Sequence, residues 1–311
     1  MNVPPWQAGD WSRLQARRDR DALPHALLLC GPAGLGKRAF ARSFAHGLLC
    51  MQALGGYACG RCRSCLLLAA GTHPDLVELT CGLRRDGTSR TEIVVEQIRD
   101  LSARLAMNSQ FGGWQIACID PADAMNTAAA NALLKTLEEP SARTLLVLLA
   151  DAPERLPPTI RSRCQRIEFR QPEADDALAW LRAEGVSEEQ QALAAAGGNP
   201  GLARDWARAG MLEQRGTVRN ELAALAAGRG DPGSVARRWL ESQAAASLWF
   251  AAQASCDEFK ARAVGGKPPL GSALDDDALW RWHVAANKVR EGLRGPLRAD
   301  LLLLDLLSRW R

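Results

Sequence analysis

The chain has 311 residues, 47% of them hydrophobic and 24% charged, with a formal net charge of +4. That composition is ordinary for a soluble globular protein of two or three domains, and the charge is too small to argue for nucleic acid by itself. No apolar run approaches the roughly 20 residues of a membrane span, and MNVPPWQAGDWSR lacks a signal-peptide core, so a cytoplasmic location is expected. Nine cysteines without an export signal point to metal binding or buried thiols rather than disulfides.

The first element is an apolar strand, Ala26–Cys30, followed by the glycine loop of "LLLCGPAGLGKRAFARSF" and then a helical pattern. Gly31, Gly36 and Lys37 fit the phosphate-loop spacing G-x-x-x-x-G-K-[ST], with Gly34 inside it. Backbone N–H groups at such a helix start form a nest for anions. The position after the lysine should carry a hydroxyl for Mg²⁺, and here it is Arg38.

"CMQALGGYACGRCRSC" comes next, with Cys50, Cys59, Cys62 and Cys65 spaced C-x8-C-x2-C-x2-C. Four thiolates at that spacing suit a closed tetrahedral Zn²⁺ site of structural type. A redox C-x-x-C needs only two cysteines, and an iron–sulfur site is the other alternative. His73, before Pro74, reads as a turn residue and not as a fifth ligand.

Further strands are expected at Leu76–Leu79, Gln115–Ile119 and Leu145–Ala150. Between them lie a helix over Thr91–Met107, where Val94, Ile98, Leu101 and Leu105 recur at helical spacing, and another over Asn126–Leu137. Asp120 ends the third strand, where a carboxylate could reach a metal; a turn or capping role is the alternative. Cys30 and Cys118 fall inside strands and read as small core residues. Arg166–Arg170 reads as a last, edge strand. The alternation argues for a parallel sheet flanked by helices. After Gln171-Pro172 the pattern turns helical, with breaks at Gly197–Pro200 and Val264–Pro269.

"HALLLCGPAGLGKR", the four-cysteine insert, "AGTHPDL", "IDPADAMNTAAANALLKTLEEP" and "RLPPTIRSRCQRIEF" together resemble the family of delta-prime subunits of the bacterial DNA polymerase III clamp loader. The likeness is detailed over residues 1–205 and weaker over 206–311. It implies an α/β AAA+ (P-loop) core with the zinc module (1–170), a small helical lid (171–208) and a C-terminal all-helical collar for oligomerisation (209–311). It also implies partners: ATPase subunits and a clamp-opening subunit in a pentameric ring, and through them the sliding clamp and primer-template DNA.

Against active members of that family, the sequence departs at each catalytic station. Arg38 replaces the Mg²⁺ hydroxyl, and Pro121 stands where AAA+ ATPases carry a water-orienting glutamate; Asp123 is a poor substitute. The sensor position falls on Ala150 or Asp151, and the lid arginine on Gly201, unless Arg204 takes its place. The resemblance therefore implies that ATP can bind at Gly31, Gly34, Gly36, Lys37 and Asp120 without being hydrolysed. It further implies that Arg163, in Ser162-Arg163-Cys164, acts as an arginine finger in a neighbour's ATP site. The alternatives are an active clamp-loader ATPase and a zinc-bearing nucleic-acid module. The latter has only Arg61, Arg63 and Tyr57 to offer a nucleic acid.

Overall fold

The computed structural model describes residues 3–82, 87, 90–293 and 298–310. The chain divides into two compact units, Met1–Trp180 with Asn199–Leu202, and Leu181–Gly198 with Ala203–Arg311.

The first unit begins with α1 (Ala8–Asp19), β1 (Ala26–Cys30), α2 (Lys37–Leu49), α3 (Arg63–Ala69) and β2 (Leu76–Leu79). It continues through α4 (Val95–Leu105), β3 (Gln115–Ile119), α5 (Thr127–Glu138), β4 (Thr144–Ala150), α6 (Pro158–Arg161) and β5 (Gln165–Glu168). The strands form one sheet in the order β2-β3-β4-β1-β5, every pair parallel. All residues of β1, β3 and β4 are buried, which is why these strands read as continuous apolar runs and not as alternating ones. One face packs on α4 and α5 through Ile98, Leu101, Leu105, Leu133 and Leu137; the other packs on α1 and α2 through Trp11, Phe40 and Phe44. Phe40 and Phe44 are each 1% exposed, and burying each contributes about 1.5–3 kcal/mol.

The expected strands stand at Ala26–Cys30, Leu76–Leu79 and Gln115–Ile119, and the fourth gains Thr144. The last strand starts one residue earlier and stops at Glu168, because its partner β1 ends at Cys30, which pairs with Glu168. The helix expected from Thr91 starts at Val95. Ile93 is engaged in a parallel bridge to Met125, and the Gln97 side chain then accepts from the Val94 N–H at 3.1 Å. Helices α1 and α3 were not anticipated.

The chain continues with α7 (Ala174–Ala183), α8 (Glu189–Ala195), α9 (Pro200–Arg208), α10 (Leu212–Ala226) and α11 (Pro232–Glu241). It ends with α12 (Ala244–Ala263), α13 (Asp276–Gly292) and α14 (Ala299–Ser308). No described helix is long and apolar enough to cross a membrane. In the second unit three buried indoles find acceptors: Trp239 on Glu221 Oε2 at 2.7 Å, Trp282 on Leu306 O at 2.8 Å, and Trp310 on Leu222 O at 2.9 Å.

The break at Val264–Pro269 leads into a pinned segment. Glu258 on α12, 0% exposed, accepts from the backbone N–H groups of Leu270 at 2.7 Å and Ser272 at 3.1 Å and pairs with Arg262 at 3.1 Å. Arg262 in turn donates to the carbonyls of Ser272 and Leu274, both at 2.6 Å. Removing Glu258 leaves two buried backbone N–H groups without their acceptor and takes from Arg262 its closer carboxylate, Asp276 at 3.5 Å being the other. Glu258→Ala is therefore expected to cost about 3–5 kcal/mol of stability, measured by denaturant unfolding; an unchanged midpoint would contradict the pinning.

Candidate functional site

The C-terminal ends of β1, β3 and β4 meet at one edge of the parallel sheet, and charged residues gather there. Gly31 leaves β1 with φ +135°, and a Cβ at this position would lie 2.2 Å from Phe169 O. Gly34 and Gly36 continue the loop at φ 84° and 91°. Helix α2 then opens at Lys37, and its first turn has N–H groups with no intrahelical acceptor.

Lys37 is 2% exposed, and its charge is already matched. Its Nζ donates to Gly31 O and to Pro32 O, the latter at 2.8 Å, and pairs with Asp151 at 2.7 Å. Arg38 grips Asp120 with both arms of its guanidinium, Nε to Oδ2 at 2.7 Å and Nη2 to Oδ1 at 2.8 Å. A second contact reaches Asp151 at 3.5 Å. Burial alone would lower the Arg38 pKa; the Asp120 carboxylate overrides it and holds the guanidinium above its usual value. Asp123, three residues past Asp120, accepts from the N–H groups of Asp151 (3.4 Å) and Ala152 (3.0 Å) and so fixes the end of β4.

The loop is also covered. Gln7 donates to Leu35 O, and Asn199 Nδ2 donates to Ala33 O at 2.7 Å. The Asn199 Oδ1 caps the first turn of α9 through Leu202 N at 3.1 Å. Gly201 presses against the loop so closely that a Cβ would sit 1.8 Å from Gly34 O. The side chains that a magnesium nucleotide would meet are engaged with one another. The carboxylate that would hold the metal is bound to a guanidinium, the lysine that would meet phosphate is bound to a carboxylate, and Pro121 offers no proton acceptor.

The four cysteines come together at the far end of α2. Cys50 follows its last residue, Cys62 caps α3, and Cys65 lies within α3. Their sulfurs all lie within 4.8 Å of one another. Cys50–Cys62 and Cys59–Cys65 are 3.9 Å apart, close to the about 3.8 Å edge of a tetrahedron with 2.3 Å metal–sulfur bonds. The Cys50 sulfur accepts from Gln52 N at 3.4 Å and Cys59 N at 3.2 Å, and the Cys62 sulfur from Cys65 N at 3.4 Å. The backbone N–H groups of Arg61 and Cys62 bring the Cys59 pKa down to about 6, whereas burial pushes Cys65 up to about 12. A cation at the centre would be held by all four sulfurs, and the donor set fits a metal ion.

His73 stays outside that set. It is buried, stacks on Phe111, and lies 3.0 Å from Ser64 Oγ, which donates to Leu49 O at 2.6 Å. Its Nδ1 accepts from Asp75 N at 3.2 Å. Tyr57 stacks on Trp11 of α1 at 4.5 Å, which docks the cysteine module on the core. Cys30 and Cys118 are buried in their strands as expected.

Arg163 lies elsewhere. It lies two residues before β5, which runs parallel to β1 from the register Leu27–Gln165. It therefore sits at the edge of the sheet opposite to the glycine loop, about six strand residues, or roughly 20 Å, away along the strands. Its Nη2 pairs with Glu138 at 2.6 Å and its Nη1 donates to Thr159 O at 3.0 Å. Arg204 pairs with Glu184 and Asp205 in the second unit.

Sequence reasoning missed Gln7, Asn199 and Glu138. Asn199 carried a visible cue, since an Asn before Pro at a helix start is a capping pattern. Gln7 and Glu138 carried none, because each acts on a residue far away in sequence.

A family model described as DNA polymerase III, delta subunit, matches residues 6–173. The chain is 43% identical over 222 residues to DNA polymerase III subunit delta' of Pseudomonas aeruginosa, an alignment spanning 70% of this chain and 65% of that protein. It is 37% identical over 203 residues to the subunit of the same name from Escherichia coli, across 64% of this chain and 59% of that one. The alignments thus span less than two thirds of these relatives' own length. Among solved structures, a DNA polymerase III gamma subunit-related protein of Thermotoga maritima aligns with a TM-score of 0.44 at 16% identity, covering 96% of this chain and 99% of that one.

The contact between Gly201 and Gly34 leaves no room for a methyl group. Gly201→Ala should cost about 1–3 kcal/mol through overpacking, read from urea unfolding. Wild-type stability in that variant would show that the turn does not rest on the loop.

Proposed function

Since the chain belongs to the DNA polymerase III delta-subunit family, we propose that it is a non-hydrolysing subunit of a bacterial clamp loader. In this role it helps neighbouring ATPase subunits load the sliding clamp onto primed DNA, and it supplies Arg163 to the ATP site of one of them. Its partners are those ATPase subunits and a clamp-opening subunit in a pentameric ring, with clamp and primer-template DNA met through the assembly. The division into core (1–170), lid (171–208) and collar (209–311) belongs to the same proposal.

The observation that carries the reading is the pairing of Arg38 with Asp120. Hydrolysis needs a metal held between the loop and an acidic strand end. Here a permanent cation occupies the acid, and Lys37 is taken by Asp151. An active ATPase would have to break both pairs and still lack a group to orient water. The placement of Arg163 at the opposite edge supports action in trans, because its guanidinium does not face its own loop. A planar, always-charged guanidinium suits charge on a transferring phosphoryl group better than an ammonium does.

The isolated chain should show no ATP turnover above a protein-free blank. In the reconstituted clamp loader, Arg163→Ala should leave assembly intact and slow DNA-stimulated hydrolysis at one site by about a thousandfold or more, the scale of fingers in other phosphoryl-transfer proteins. Arg163→Lys should recover part of the loss. Full clamp loading by a stoichiometric Arg163→Ala complex would refute the assignment.

Cys50, Cys59, Cys62 and Cys65 hold a structural zinc in this reading, supported by the closed, four-sulfur geometry. Elemental analysis should find about one Zn²⁺ per chain. Cys62→Ser should lose it together with thermal stability, since structural zinc binding is coupled to folding. A metal-free chain with an unchanged Tm would contradict it.

A further inference from the structure

Arg163 is held from two sides by neighbours fixed in the core. Glu138 is the last residue of α5, and Arg163 follows α6 by two positions. Leu133 and Leu137 of α5 and Ile160 of α6 belong to the same buried cluster, so the backbones that carry the pair are immobilised together. The Nη2–Glu138 contact is 2.6 Å and the Nη1–Thr159 carbonyl contact 3.0 Å. The guanidinium also faces the C-terminus of α5, the negative end of that helix, which favours a cation.

A half-exposed ion pair of this kind contributes only about 0–1 kcal/mol to folding, and the side chains are 37% and 50% exposed. Stability is therefore a weak reason for the arrangement. Orientation is a better one. A guanidinium has five N–H donors in a rigid fork. The two anchors fix its plane at one end and leave three donors without a partner among the described residues. A free arginine at this position would spread over many rotamers and lose that freedom only on meeting a phosphate.

We infer that Glu138 is a positioning residue for Arg163: it fixes the guanidinium in advance so that the remaining donors meet a phosphoryl group presented by a neighbouring subunit. This rests on the in-trans role of Arg163 proposed above. The carboxylate gives geometry and removes part of the charge, so the two contributions are separable. Glutamine keeps an acceptor oxygen at the same reach without the negative charge, and alanine keeps neither.

The test uses the reconstituted clamp loader with DNA and ATP, measuring kcat and KM for hydrolysis with assembly followed by light scattering. Glu138→Ala should lower kcat about three- to tenfold, the order expected for the rotamer freedom of one long side chain, with KM and assembly unchanged. Glu138→Gln should restore most of the rate. In an Arg163→Ala background, Glu138→Ala should have no further effect, because the two residues act as one unit. A wild-type kcat in Glu138→Ala, or an equal loss in the Arg163→Ala background, overturns the positioning role and leaves the role of Arg163 standing. A wild-type kcat in Arg163→Ala alone overturns that role, and the inference with it.

Discussion

Two cations face two carboxylates at the C-terminal edge of the sheet, and the form of the glycine loop depends on that balance. Lys37 is 2% exposed, and an ammonium so buried persists only with a partner. Asp151 supplies one from the end of β4, and the carbonyls of Gly31 and Pro32 accept the other hydrogen bonds. Asp120, from the end of β3, would be left facing Asp151 were it not for Arg38, which reaches both. Two strand ends are thereby tied to the first turn of α2 by ion pairs, and the end of β1 by hydrogen bonds from Lys37. The loop keeps a phosphate-binding shape with all its principal charges satisfied from within.

Helix α2 carries this fixed point to the cysteine module. Its 13 residues span about 20 Å, from Lys37 at the loop to Leu49, which is followed by Cys50. At the far end a polar chain continues the link. Ser64 donates to Leu49 O; His73 meets Ser64 through Nε2 and accepts from Asp75 N through Nδ1. With Nδ1 an acceptor, the ring proton lies on Nε2, and burial, opposed by Asp75, lowers the His73 pKa and keeps the ring neutral. Asp75 then accepts from Ser109, Gln110 and Phe111, the loop before β3. The module is not an appendage: its orientation is set by the same core that sets the loop.

Much of this was legible in the sequence, for reasons that differ between elements. The strands were visible because a parallel sheet buried on both faces demands unbroken apolar runs, as in Ala26–Cys30 and Gln115–Ile119. The cysteine set was visible because metal geometry constrains spacing. The absence of a hydroxyl after Lys37 was visible too, but what Arg38 does instead was not: its partner Asp120 lies 82 residues away, and no local pattern announces an ion pair between a helix start and a distant strand end. The start of α4 was misjudged because hydrophobic periodicity runs on through Val94, while the bridge of Ile93 to Met125 holds the backbone extended there. Helix α1 escaped because its burial rests mainly on Trp11 and Leu14, too few apolar positions to set a period.

The parallel register of β1 and β5 separates two chemistries within one sheet. A loop after a strand lies at one edge, and a residue before the adjacent parallel strand lies at the other; Leu27 opposite Gln165 fixes this for Lys37 and Arg163. An arginine so placed cannot turn toward its own loop without unpairing β5 from the centre of the sheet. Conversely, neutralising the loop by Asp120 and Asp151 does not touch the environment of Arg163, whose partners Glu138 and Thr159 come from α5 and α6. Residues at one edge can therefore change while the other edge stays intact. The fold thus separates the charges of the loop from those around Arg163, so that neither set constrains the other.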